Sequence, residues 1–139
     1  MCPLGKEGTC LFGYSHGVMI VSTFYENVSR AKMEGRELEE GEQDESVVLE
    51  FRPGAGGEML IACLWSRWTG SGEPDLLSFA AITDEPPPEV AAAGHDRCIV
   101  PIKPENIDAW LSPDPANLAA LHAILDDRYR PYYEHRLAA

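Results

Sequence analysis

The sequence predicts an α+β domain built on a mostly antiparallel, barrel-like sheet with a few short helices. Three observations predict it. Apolar and polar residues alternate over Ser46 to Arg52, which puts Val47, Leu49 and Phe51 on one face. Turn-forming clusters recur at short spacing, at Pro53 to Gly57 and at Thr69 to Pro74. The helical stretches are short and open on proline, as expected of helices that support a sheet.

The elements follow in order. Met1 to Tyr14 carries little pattern. Val18 to Glu26 reads as one strand, an apolar run ending in aromatics. Asn27 to Asp44 reads as loop or frayed helix, and Ser46 to Arg52 as the second strand. Glu58 to Trp65 is almost continuously apolar, which predicts a central strand covered on both faces. Leu76 to Thr83 is a further strand. Asp84 and Pro86 to Pro88 open a short helix through Ala93, with Gly94 suited to the left-handed position behind it. Arg97 to Ile102 reads as a strand and Pro104 to Leu111 as a short helix. Asp114 reads as the cap, and Pro115 as the first residue, of a helix bearing Leu118, Leu121, Ile124 and Leu125 on one face. Tyr129 to Arg136 closes the chain as a last strand.

At 139 residues with no repeat or linker, the expectation is a single domain over 1–139. No apolar run is long enough to span a membrane, and no secretory signal is readable, so the expected address is the cytoplasm. The net charge of −12 argues against a general nucleic-acid binder, since phosphate neutralisation needs Lys and Arg. Residues 30–45 read as an acidic loop. Glu34 to Glu45 carries seven acids against Arg36 alone, a net of −6 and half of the imbalance. Cys2, Cys10, Cys63 and Cys98 form no CxxC pair and no zinc-like spacing; Cys63 and Cys98 read as small buried hydrophobes. No metal or cofactor is expected.

Glu26 closes an apolar run, and His95 stands in Gly94-His95-Asp96-Arg97 ahead of Cys98-Ile99-Val100. A carboxylate and an imidazole delivered by two strand ends make a candidate acid–base pair. Cys2 is a candidate nucleophile. Asp96 reads as a turn or cap residue, and His16, His122 and His135 as surface or satisfied histidines. Trp65, Trp68 and Trp110 read as packing residues, with Trp68 alternatively a stacking platform for an exposed base. Arg67 reads as a surface arginine or a phosphate contact.

Taken in order, these segments resemble the SRAP family, the SOS response-associated peptidases that process abasic sites in single-stranded DNA. The carrying residues are His16 to Asn27 with its Phe24-Tyr25-Glu26, then Ala62-Cys63-Leu64-Trp65-Ser66-Arg67-Trp68. Leu77 to Thr83, His95-Asp96-Arg97-Cys98-Ile99-Val100 and Ala109-Trp110-Leu111 follow. The resemblance implies that removal of Met1 exposes Cys2, whose α-amine and thiol close a thiazolidine on the aldehyde of an abasic sugar. It assigns proton transfer to Glu26 and His95. Arg97 would face phosphate or brace the histidine, and Arg67 and Trp68 are further DNA-binding candidates. The chain departs from the pattern, as a short or divergent member. His16-Gly17 replaces Arg-Cys, Asn27 replaces Trp, Cys98-Ile99 replaces Met-Pro, and no Asn-Ala-Arg segment is present.

Three functions are carried forward. The first is covalent crosslinking to abasic sites in single-stranded DNA. The second is a catalytically degenerate binding protein, working as a homodimer or with a partner chain. The third is a thiol peptidase using Cys with His95.

Overall fold

A computed structural model describes residues 11–138. Cys2 and Cys10, and the expectations resting on them, lie outside the described residues. The elements are β1 (His16–Val21), β2 (Phe24–Ser29), α1 (Arg30–Met33), β3 (Ser46–Pro53), β4 (Met59–Gly70), β5 (Glu73–Ala81) and β6 (Thr83–Asp84). Then come α2 (Pro88–Ala92), β7 (Cys98–Ile99), a 3-10 turn at Pro104–Asn106, α3 (Ile107–Leu111), α4 (Leu118–Asp126) and β8 (Tyr133–Leu137). The strands form sheets ordered β1-β4-β5, β2-β3-β8 and β6-β7, and β2–β3, β3–β8 and β4–β5 pair antiparallel. The α+β reading holds. The described chain forms two compact units that interleave along the sequence: residues up to Ile20 with Met59–Ile82 and Ile99–Tyr129, and Val21–Glu58 with Thr83–Cys98 and Arg130 onward.

In the first unit, β4 is the central strand, as its apolar run predicts, but it is covered only in part. Met59 and Ile61 to Leu64 are buried, whereas Trp65 and Trp68 are exposed, at 42% and 53%. Trp65 is a partly buried packing residue whose indole N–H donates to the His16 carbonyl at 3.1 Å, whereas Trp68, read as packing or as a stacking platform, is more than half exposed. Trp110 does lie in the core, with Phe12, Leu64, Val100, Leu121, Ile124 and Leu125. Its indole N–H donates to the Gly17 carbonyl at 2.9 Å, so the ring is buried without an orphaned donor. His16 is a satisfied core histidine. Its Nδ1–H donates to the Trp110 carbonyl at 2.9 Å, and its Nε2 accepts the Gly13 N–H at 2.8 Å.

In the second unit, β3 alternates as its sequence requires, with Val47, Leu49, Phe51 and Pro53 buried. The Phe24 ring stacks on Phe51 at 5.2 Å and meets Tyr133 edge-on at 5.3 Å.

Several boundaries differ from the sequence expectation, each for a local reason. The single strand over Val18 to Glu26 is two strands in different sheets, broken at Ser22-Thr23, where no glycine or proline announces the break. The strand expected over Arg97 to Ile102 is β7 plus one bridge between Ile61 and Pro101; Pro101 has no N–H to extend a ladder. α4 begins at Leu118 rather than after Asp114. Asp114 accepts from Ala116 N–H in a turn, and Asn117 caps the helix by accepting from Ala120 N–H. The last strand starts at Tyr133 because Pro131 precedes it. Among the described residues no helix is long and apolar enough to cross a membrane.

Candidate functional site

Glu26 occupies an unusual place on its strand. Side chains alternate along β2, so Glu26 shares a face with Phe24 and Val28, both buried. Its ladder partner is Leu49, itself fully buried. A carboxylate has been set into the apolar face of a strand. Burial raises its pKa above the usual carboxylate value; His95 opposes the shift and Asp96 adds to it.

His95 arrives by a different route. After α2, Gly94 adopts φ +103°. The Gly94 N–H donates to Ala91 O and the His95 N–H to Val90 O, closing a Schellman motif. A Cβ on Gly94 would sit 3.1 Å from Lys32 Cβ and 3.2 Å from the Met33 nitrogen, so the glycine also allows α1 to approach closely. α1 follows β2 directly, capped by Ser29. The same close approach that requires Gly94 therefore brings the strand carrying Glu26 to the turn carrying His95.

The two side chains meet. His95 Nε2 lies 3.0 Å from Glu26 Oε2, with both side chains about four-fifths shielded, at 18% and 24% exposure. The other ring nitrogen orients the imidazole. Nδ1 lies 2.6 Å from the Arg97 carbonyl and 3.2 Å from the Arg97 N–H. Nδ1 can donate to the carbonyl or accept from the N–H, and either contact fixes the ring so that Nε2 is turned to Glu26. Nε2 faces the carboxylate at hydrogen-bond distance, so a proton held by either group is shared across the contact. A carboxyl group and an imidazole at this distance can exchange a proton.

Arg97 braces the histidine through its backbone carbonyl. Its guanidinium is turned to Thr83, donating from Nε to Oγ1 at 3.2 Å and from the second amino nitrogen to the Thr83 carbonyl. Thr83 was not visible to sequence reasoning. Its only sequence signal is its place at the end of the apolar run Leu77 to Thr83.

An open groove of about 780 Å³ flanks His95, lined also by Lys32, Arg36, Glu37, Glu85 and Asp96. Lys32 and Arg36, not singled out by sequence, supply its cations. Arg36 is already held, by Glu34 at 2.7 Å and Glu42 at 2.7 Å. The acidic loop is thus partly folded onto its own arginine. Arg67 and Trp68 are both exposed and belong to the first unit, where Arg67 lies 3.8 Å from Asp75. Among the described residues no group of three or more His, Cys, Asp and Glu side chains is placed to hold a metal ion. Cys63 and Cys98 are buried, and burial pushes the Cys63 thiol up.

The model of one protein family, SOS response associated peptidase (SRAP), matches residues 10–137. The chain belongs to the SRAP family. Among curated proteins none matches the sequence. The fold is shared with solved structures. A phage-related protein from Bordetella bronchiseptica aligns at a TM-score of 0.60 and 21% identity, over 92% of this chain and 55% of that one. A second Bordetella bronchiseptica protein aligns at 0.60 and 16%, over 90% and 55%. A Bacteroides thetaiotaomicron protein aligns at 0.60 and 12%, over 93% and 51%. This SRAP chain spans about half the length of the solved structures it matches. SRAP membership supports a DNA-damage-associated function.

Proposed function

We propose that this chain handles abasic sites in single-stranded DNA, with Glu26 and His95 as its proton-transfer pair and Cys2 as nucleophile. The observation carrying the reading is the 3.0 Å contact between His95 Nε2 and Glu26 Oε2, with Nδ1 anchored on Arg97 O. The chemistry needs such a pair. The ring-opened abasic sugar presents an aldehyde. An N-terminal cysteine attacks through its amine, the carbinolamine loses water, and the thiol closes on the resulting iminium to give a thiazolidine. Opening the hemiacetal, expelling water and deprotonating the thiol each move a proton, and the shared proton of Glu26 and His95 serves those steps.

A second reading, a binding protein without catalysis, is favoured by the acidic groove. Arg36 is neutralised by two glutamates, and Glu37, Glu85 and Asp96 line the rim, which weakens attraction for phosphate.

One experiment separates the readings. Protein of defined N-terminus is incubated with a single-stranded oligonucleotide bearing one abasic site, and heat-stable adducts are resolved on a denaturing gel. The expected result is a crosslink in wild type, its loss in Cys2→Ala, and a rate reduced about 10²-fold or more in Glu26→Gln. A wild-type crosslink undiminished by Glu26→Gln removes the dyad from the chemistry. No crosslink, with retained binding to the oligonucleotide, favours the second reading.

A further inference from the structure

The first unit leaves one sheet edge open. β5 is the terminal strand of the β1-β4-β5 sheet, and every residue from Glu73 to Ala80 is exposed. Its apolar side chains are large: Leu76, Leu77 and Phe79 are 60%, 61% and 65% exposed. Both faces are involved. Leu77 and Phe79 stand beside Arg67 and Trp65 on one face, and Leu76 beside Trp68 on the other. On the first face the apolar surface continues across the sheet, where Phe79 shares an open groove with Val18, Met19, Ile20 and Cys63.

The backbone has a definite polarity at this edge. The Trp65 N–H donates to Ser15 O, away from β5, while the Ile82 N–H donates to Ala62 O. With Trp65 opposite Phe79 and Arg67 opposite Leu77, alternation gives the hydrogen-bonded pairs as Leu64–Ala80, Ser66–Ser78 and Trp68–Leu76. Leu77 and Phe79 therefore turn their N–H and C=O groups outward. Edge strands are normally blunted by lysine, proline, a bulge or brevity. Here Pro74 and the register shift guard only the Glu73 end, and among the described residues nothing guards Leu76 to Ala81.

We propose that β5 pairs antiparallel with β5 of a second copy of this chain, about a twofold axis at Ser78. The outward amides allow any twofold axis that sets odd-numbered residues opposite one another, and the side chains select Ser78 among them. That axis sets the outward amides of Leu77 against those of the partner's Phe79 and the reverse, so both pairs exchange their hydrogen bonds. It places Leu77 beside the partner's Phe79 and Leu76 beside the partner's Ala80, with the small Ser78 facing its own copy. It also keeps like charges apart: Asp75 meets the partner's Ala81 rather than the partner's Asp75. The contact is isologous and closes, which gives a dimer and no fibre.

The experiment is light scattering and sedimentation across a concentration range, with cysteine trapping. The expected result is a concentration-dependent doubling of the 15.3 kDa mass. Phe79→Lys should return the folded monomer, with unchanged circular dichroism. Ser78→Cys, at a close non-hydrogen-bonded pair, should form a reducible intermolecular disulfide much faster than Asp75→Cys or the unsubstituted chain with its native cysteines. A wild-type monomer at every concentration overturns the proposal and leaves the edge to another polypeptide. A dimer that survives Phe79→Lys, or Ser78→Cys linking no faster than Asp75→Cys, overturns it as well.

Discussion

Two shielded titratable residues, His16 buried and Glu26 partly so, show how one physical cause, loss of water, gives different outcomes. Glu26 sits among Phe24, Val28 and Leu49 and is held protonated more readily than an ordinary glutamate, with His95 opposing. His16 sits against Trp110, and burial holds its imidazole below 6.5 despite the opposing hydrogen bond to the Trp110 carbonyl. The sign of the His16 effect is fixed by linkage. The unfolded chain binds a proton at this histidine more readily than the folded one, so folding loses stability as pH falls through 6.5 toward the folded value. Melting temperature followed by circular dichroism should drop on acidification from about pH 7.5 to about pH 5. His16→Gln should start lower and decline less steeply. An identical slope in the variant would place the acid sensitivity elsewhere. The sequence marked His16 as surface or satisfied, and only the fold chose between those: no local pattern says that Gly13 and Trp110 lie at its two nitrogens.

At the scale of elements, the site depends on a turn and a one-turn helix rather than on long regular structure. Gly94 serves two demands together, a left-handed φ and the close approach of Lys32 and Met33. Gly94→Ala meets both, so it should destabilise the fold by more than about 1 kcal/mol. It should also disturb the imidazole: the His95 ring resonances in NMR should move, while those of His16 stay in place. A neutral substitution in denaturant titration would show that α1 gives way freely. The glycine was legible in the sequence as a helix terminator. Its second role was not, because it depends on a segment some 60 residues earlier in the chain. Boundaries were read least well where the signal was weak: Ser22-Thr23 breaks a strand without turn residues, and Asn117 takes the capping role that Asp114-Pro115 advertises more strongly.

For the molecule as a whole, charge is the dominant constraint. A chain at −12 approaches DNA against repulsion, and half of that charge lies in one run. The run is not simply solvated. Glu34 and Glu42 clasp Arg36 at the groove beside His95, and Arg30 lies 2.8 Å from Glu45. Replacing both clasping residues, Glu34→Gln with Glu42→Gln, removes two negative charges and frees one guanidinium. Affinity for a single-stranded oligonucleotide should rise several-fold at low salt and the dependence of log Kd on log salt should steepen, measured by fluorescence anisotropy. Unchanged affinity and slope would separate the groove from DNA.

The sequence by itself determined the class of fold, the alternating strand β3, the central position of β4, the apolar face of α4 and the pairing of chemical types at Glu26 and His95. Those properties reside in short-range periodicity and in ordered motifs, which survive without knowledge of the partner segments. Only the tertiary structure decided that Glu26 faces inward between apolar neighbours, that Arg97 spends its guanidinium on Thr83, and that Trp68 is exposed while Trp110 is buried. Each of these is a matter of which distant surface covers a given side chain. A strand's pattern states which residues share a face, but the packing of the rest of the chain decides whether that face meets protein, a ligand or water.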